Sequence, residues 1–300
     1  MSRTPRVVVV GDVITDVVAV LSGPLATGSD TAAAIRFSGG GQAANTAAWL
    51  AAQGADVTLV AAVGDDEAGR ERIAELERVG VACAVERHEG YPTGTVVVLA
   101  HDGERTMVSQ RGANLRLTAA QVDRALAAAP DAGHLHLSAY TLLDAGSRGA
   151  GLRALAAARE RGLTTSVDAA SAAPLRRAGA AAFLAWVRDV DLLLVNTDEA
   201  TVLAGGLDPA AQARALAVVA RRVVVKRGAA GAVWVDRTGA VETAAAARGV
   251  PVVDVTGAGD AFAAGLLTAW LGGAGPRAAL SRAGDLGALA VSSVGARPTP

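Results

Sequence analysis

The residues best suited to chemistry lie near the carboxyl end, in the run Asp254-Val255-Thr256-Gly257-Ala258-Gly259-Asp260. Val252 to Thr256 is β-prone and the pattern from Asp260 onward is helical, so Gly257, Ala258 and Gly259 fall in the turn between them. Glycine lets backbone N–H groups approach an anion closely, and a helix start offers unpaired donors and a favourable dipole. A phosphate in transfer suits that turn. Asp260, on the first helical turn, is placed to take a proton from a hydroxyl attacking the phosphate. The helix terminus predicts a lowered carboxyl pKa. Phosphoryl transfer tolerates this, because its loose transition state needs positioning and charge stabilisation more than prior deprotonation. An aspartate at a helix start is also a common cap, and the motif alone does not separate the two readings.

Other segments carry weaker signals. Ser38-Gly39-Gly40-Gly41-Gln42-Ala43-Ala44-Asn45 precedes a helix and leaves Asn45 able to donate and accept towards a polyol, or to serve as a plain cap. Asn196-Thr197-Asp198-Glu199 follows a buried strand; it suits a Mg²⁺–phosphate or, more simply, a capping box. Lys226-Arg227-Gly228-Ala229-Ala230-Gly231 has the glycine spacing of a loop beneath a nucleotide and also that of a hairpin connection. A rival reading is nicotinamide chemistry, since Gly39-x-Gly41-x-x-Ala44 with Asp65 downstream fits a dinucleotide fingerprint. That fingerprint follows a weak β segment rather than the first core strand, and it leaves Asp254 to Asp260 unexplained. A P-loop is excluded because the one lysine, Lys226, is followed by Arg227. His134 and His136 share a strand face without a third ligand nearby, which favours packing over a metal.

The elements that must position these residues alternate. A strand at Arg6 to Val10 is followed by a hairpin-like excursion from Thr15 to Phe37, a helix at Asn45 to Gln53, a strand at Val57 to Val63 and a helix at Asp66 to Val79. Strands at Thr95 to Ala100 and Arg105 to Ser109 form a second excursion that could pair with the first. Strand–helix alternation then resumes through strands ending at Leu137, Asp168, Val195 and Lys226. A hairpin at Ala232 to Thr243 and two helices, Asp260 to Leu271 and Pro276 to Ser293, close the chain. This predicts an α/β fold with a mostly parallel sheet covered on both faces, binding ligands at the carboxyl ends of its strands. The whole of 1–300 reads as one domain, with roughly 15–37 and 91–110 forming a β lid.

The apolar fraction is 51% but aromatics are 3%, so the core is built from Val, Leu and Ala. With 28 basic and 29 acidic residues the chain has no general attraction for nucleic acid or anionic membrane, which leaves a small-molecule partner. A single cysteine, Cys83, excludes an intrachain disulfide and a thiolate zinc site and suits the cytoplasm. The opening apolar run is short enough for a buried strand rather than a leader, and no apolar stretch reaches membrane-spanning length.

Taken in order, these motifs resemble the ribokinase-like (PfkB) carbohydrate kinases along nearly the whole chain. The family's Gly-Gly-x-x-x-Asn is met by Gly40, Gly41 and Asn45, its Asn-x-x-Glu by Asn196 and Glu199, its nucleotide loop by Gly228 and Gly231, and its Asp-x-Thr-Gly-Ala-Gly-Asp by Asp254 to Asp260. The resemblance implies a ribokinase-like three-layer sandwich and an ATP-dependent kinase acting on a primary hydroxyl of a sugar or nucleoside. It implies Asp260 as base, with the amides of Ala258, Gly259 and Asp260 as anion hole. Asp16, Gly40, Gly41 and Asn45 would hold the acceptor, with Asn114 and Ser138 lining its pocket. Asn196, Lys226, Gly228 and Gly231 would hold ATP, and Glu199 would act on Mg²⁺ indirectly. Many members bind a monovalent cation such as K⁺, here through Asp254, Thr256, Ala290, Ser293 and Gly295. Exposed lid strands suggest a homodimer. Three positions depart from ribokinase: Gln42-Ala43 replaces Lys-Gly, Ser138 replaces a substrate-side Glu, and Lys226 replaces Thr. These leave the acceptor open, and a fold retained without catalysis would give a sugar-binding protein instead.

Overall fold

The computed structural model describes residues 5–102, 104–206, 208–247 and 249–298. In chain order these form β1 (Arg6–Val10), β2 (Ile14–Leu21), β3 (Ala33–Gly40), α1 (Gln42–Ala52), β4 (Val57–Gly64), α2 (Glu67–Arg78), β5 (Ala82–His88), β6 (Gly94–His101) and β7 (Glu104–Gln110). A 3₁₀ turn (Gly112–Arg116) leads to α3 (Ala119–Ala128), β8 (Ala132–Ser138), α4 (Tyr140–Leu143), α5 (Arg148–Glu160), β9 (Thr164–Asp168), α6 (Ala172–Ala178) and α7 (Ala180–Trp186). The remainder is β10 (Leu192–Asn196), α8 (Thr197–Ala204), α9 (Pro209–Leu216), β11 (Arg222–Lys226), β12 (Ala232–Asp236), β13 (Val241–Ala244), α10 (Ala258–Leu271) and α11 (Pro276–Val291).

Nine strands form one sheet in the order β13-β12-β11-β10-β9-β8-β1-β4-β5, antiparallel only where β12 meets β11 and β13. Its central strands are apolar on both faces, as a parallel sheet between helical layers requires. Val8, Leu135, Leu137, Leu193 and Val225 pack into the core on one side; Val7, Val9, Leu192, Leu194 and Val224 join Leu50, Trp49, Leu266 and Leu280 on the other. Parallel register then brings the polar strand ends together, with Ser138 opposite Asp168 and Asn196 opposite Lys226.

The two β-rich excursions form a separate four-stranded sheet in the order β3-β2-β6-β7. β2 runs antiparallel to β3 and parallel to β6, so the segments do pair with each other. The structure also differs from expectation. α1 begins at Gln42, three residues before the helix predicted at Asn45. β5 was not anticipated, because as an edge strand ending in Glu86-Arg87-His88 it lacks a sustained apolar run. Nor were α6 and α7, whose periodicity is interrupted by Pro174 and Gly179. The β-prone Val252 to Thr256 is not a strand, since the N–H groups of Val253 and Asp254 donate to Val291 O at the end of α11 instead. Among the described residues no helix is long and apolar enough to cross a membrane.

Phe183 of the unanticipated α7 is fully buried in the core. Phe183→Ala should therefore cost about 3–5 kcal/mol, read by urea unfolding. A loss below about 1 kcal/mol would contradict the packing of α7.

Candidate active site

Gly257, the N-cap of α10, adopts φ +77°. A side chain here would meet Ala296 O at 2.4 Å, so the turn is both left-handed and tightly packed. Ala261 N–H makes an i→i−4 bond to Gly257 O (2.9 Å), with Ala258, Gly259 and Asp260 preceding it at the helix mouth. Asp260 Oδ2 accepts from Asn45 Nδ2 at 2.8 Å. Burial pushes the Asp260 carboxyl up to about 8, aided by Asp168 and Asp12, against the Asn45 hydrogen bond and Lys226. The lowering expected from the helix terminus is thus overturned, because removal from water outweighs it.

Beside this turn lies a network that joins the three departures noted in the sequence. Ser138 Oγ donates to Gln42 Oε1 (2.6 Å), Gln42 Nε2 donates to Asp168 Oδ1 (3.0 Å), and Lys226 Nζ donates to Asp168 Oδ2 (2.5 Å). Burial pulls the Lys226 ammonium down, but Asp168, Glu199 and Asp260 outweigh it and raise its pKa. A Cβ on Gly259 would sit 3.5 Å from that ammonium, so the cation faces the turn that opens α10. Ser138 is fully buried, with its hydroxyl donated to Gln42.

On the acceptor side, Asp16 lies so close to Gly40 that a Cβ there would meet its Oδ2 at 2.2 Å. Burial raises Asp16 to about 6 against the pull of Arg297. Gly41, at φ +97°, packs on Asp12 O. Asp12 itself accepts from Ala43 N–H (3.2 Å) and from Arg111 Nη1 (3.2 Å), while Arg111 Nε donates to Asp144 (2.9 Å) and its guanidinium stacks on Tyr140. Asn114 spends its amide on the backbone: Oδ1 accepts from Val13 N–H (2.9 Å), and Nδ2 donates to Val13 O and Arg111 O (3.0 Å each). These bonds fix the entrance to β2.

On the opposite side, Asn196 and Glu199 form a complete capping box at the start of α8. Glu199 is buried and raised to about 7 by desolvation, against Lys226; its oxygens accept from Asn196 N–H (2.8 Å) and Nδ2 (2.7 Å). The Lys226 to Gly231 segment is the β11–β12 hairpin loop, closed by Arg227 N–H to Gly231 O (2.8 Å), and Gly228 faces open space. Asp254 Oδ1 accepts from Thr256 N–H (2.9 Å) and Oγ1 (2.7 Å), and Oδ2 from Gly295 N–H (3.1 Å), with Arg36 3.8 Å away. Ser293 N–H reaches Ala290 O (3.4 Å), and Asp254 N–H donates to Val291 O (3.2 Å), so the segment carrying Asp254 and Thr256 lies against the one carrying Ala290, Ser293 and Gly295.

Asp12, Asp168 and Arg297 were not singled out as site residues from sequence. Asp168 and Asp12 end or follow apolar strands, a signal available in the pattern; Arg297 offered none. The glycine run that mimics a dinucleotide fingerprint starts inside β3, whose last residues Gly39 and Gly40 pair antiparallel with β2 in the small sheet, and so lacks the parallel β–α–β setting such a site needs. His134 and His136 hydrogen-bond to Thr164 and Ser166 within the core, and the described residues hold no cluster of three metal-ligating side chains.

The polar strand ends and the glycine-capped start of α10, with the Asp260 carboxyl on its first turn, make a setting of the kind that binds a phosphate in α/β proteins. The model of the pfkB family carbohydrate kinases matches residues 4–300, and the chain belongs to that family. It is 32% identical over 287 residues to an ATP-dependent ribose-1-phosphate kinase of Halopiger xanaduensis, covering 92% of this chain and 88% of the other. A 2-dehydro-3-deoxygluconokinase of Thermoproteus tenax is 32% identical over 257 residues, 82% and 78% of the two chains. In fold it is similar to the adenosine kinase of Sinorhizobium meliloti, with a TM-score of 0.87, 22% identity and coverage of 98% and 96%.

The raised Asp260 carboxyl has a thermodynamic consequence. Its folded pKa, about 8, lies above its ordinary value of 3.8, so the fold binds the extra proton and loses stability as pH rises between them. Asp260→Asn removes that penalty. Its melting temperature should exceed that of the wild type, by more at about pH 8 than at about pH 5. An equal gain at both values would contradict burial as the cause.

Proposed function

We propose that this sugar kinase uses Asp260 to take the proton of an acceptor hydroxymethyl group while the amides of Gly257 to Asp260 receive the transferred phosphoryl group. The observation that carries this reading is the Asn45–Asp260 hydrogen bond at the mouth of α10, with Lys226 against the same turn. Asp16, Gly40, Gly41 and Asn45 orient the acceptor, and Asn114 and Ser138 support them from behind. ATP lies along Lys226, Gly228 and Gly231, where the open face of Gly228 leaves room for it. Mg²⁺ would enter with the triphosphate, since Mg²⁺ keeps waters and phosphate oxygens as ligands and needs no protein cage. Glu199, whose oxygens are engaged by Asn196, acts on it only at a distance. Asp254, Thr256, Ala290, Ser293 and Gly295 form the seat of a monovalent cation. The chain works as one domain in a reducing cytoplasm, with the four-stranded sheet as its lid. Both sequence relatives are named for sugar-derived acceptors, which favours a sugar or sugar derivative over a nucleoside.

Release of ADP across a panel of sugars, sugar acids, sugar phosphates and nucleosides should single out one acceptor class. Asp260→Asn should still bind that acceptor while kcat falls by about 10²–10⁴. No turnover with any acceptor would leave a sugar-binding protein as the better reading.

The lid also supplies a dimer surface. Phe37, Val17, Val97 and Val108 form one row across all four strands, on the face opposite Asp16. Ile35 flanks this row, and Ile35, Phe37 and Val108 are exposed. A second copy of the sheet would cover this apolar row. Sedimentation equilibrium should show a dimer that Phe37→Asp dissociates; a wild-type monomer would refute it.

A further inference from the structure

We infer that Arg297 is a positioning residue that sets the hydrogen-bonding polarity of Asn45 and, through it, holds Asp260 as a proton acceptor. The inference rests on Asp260 being the base, but its direct test does not require turnover.

The argument is one of donors and acceptors. An asparagine amide has a donor end and an acceptor end of nearly equal shape, and only its partners decide which way it points. Arg297 Nε donates to Asn45 Oδ1 at 3.2 Å. A guanidinium has no acceptor, so the end of Asn45 facing it must be the carbonyl. The NH₂ end is thereby turned to Asp260 Oδ2, where it can only donate. A carboxylate accepts that donation; a protonated Oδ2 would clash with it. Were the amide reversed, its oxygen would face Asp260 and be satisfied by the protonated acid instead, the form that cannot act as base.

Arg297 is itself held. Its Nη1 donates to Glu75 Oε2 (3.1 Å) and its Nη2 to Gly40 O (2.9 Å), so the guanidinium is used on every side and mostly buried. The adjoining tail is fixed too, with Trp49 Nε1 donating to Ala296 O (2.9 Å) and Gly257 packed on the same carbonyl. Glu75 of α2, Arg297, Asn45 of α1 and Asp260 of α10 thus form one directional chain, linking the acceptor glycines to the base. The other charged or titratable groups acting on Asp260 are Asp12, Tyr140, Asp168 and Lys226, and those acting on Arg297 include Arg72, Asp16 and Cys83.

The test is an NMR titration of the Asp260 carboxyl carbon, assigned by its loss in Asp260→Asn, in wild type, Arg297→Met, Arg297→Lys and Trp49→Phe. Arg297→Met frees the amide to reverse and should raise the Asp260 midpoint by about one pH unit, the scale of one hydrogen bond to a charged group. Arg297→Lys, also donor-only, should keep the wild-type midpoint. Trp49→Phe loosens the tail without touching the amide and should leave the midpoint in place while lowering the melting temperature. Where an acceptor is turned over, the acid limb of kcat should move with the same variant and in the same direction. An unmoved midpoint in Arg297→Met, or an equal shift in Trp49→Phe, would reduce Arg297 to a structural clamp and overturn the inference. Should Arg297→Met not fold, Arg297→Leu, which offers Asn45 neither donor nor acceptor, replaces it with a shift of the same sign expected. A protein that shows the shift yet phosphorylates no acceptor would retain the polarity argument and lose the kinase reading.

Discussion

The ion pair between Lys226 and Asp168 is the interaction around which the rest of the site is arranged. Its partners end β11 and β9, with β10 between them, and Asp168 is almost wholly removed from water. A charge in that position needs a partner, and removing one member of such a pair typically costs about 3–5 kcal/mol. The second oxygen of Asp168 is met by Gln42, the first residue of α1, which in turn accepts from Ser138 at the end of β8. One buried carboxylate therefore couples three strand ends and a helix start. It also fixes the cation that faces Gly259, and its field helps to raise Asp260. The polar edge of the sheet is stable because its charges are satisfied, and Lys226 lies against the turn that opens α10.

The sequence disclosed what was contiguous and hid what was assembled. Asp254 to Asp260 was legible because turn, helix start and carboxylate occur within one short run, and the β-rich excursions because strand patterns are local. Ser138, Gln42 and Lys226 were visible only as three separate departures from a resemblance. Their common reason is spatial: each touches Asp168 or a group that does. Arg297 was beyond reach, since nothing in the composition of a chain rich in arginine marks the one that meets Asn45. The raised Asp260 shows the same division, because a helix terminus can be read from sequence whereas removal from water cannot. Val252 to Thr256 failed in the other direction. Strand propensity there is real, but the backbone donors of Val253 and Asp254 found Val291 O rather than a neighbouring strand.

The small sheet reconciles two demands, accuracy at one end and exposure at the other. At its inner end β2 leaves the core through Val13, pinned by Asn114, and places Asp16 against Gly40. Gly94 packs on Asn114 and Gly112 on Pro92 O, so the return strands enter through equally close contacts. Asp66 adds a second clamp, its carboxylate accepting from Thr93 N–H (2.7 Å) and Oγ1 (2.6 Å). Further out, Ile35, Phe37, Met107 and Val108 carry apolar surface into solvent. Sheets of this size need an apolar face covered to be stable alone. The glycines at the joint permit close approach between backbone and side chains, and the outer strands, freed from that constraint, keep large apolar side chains in solvent.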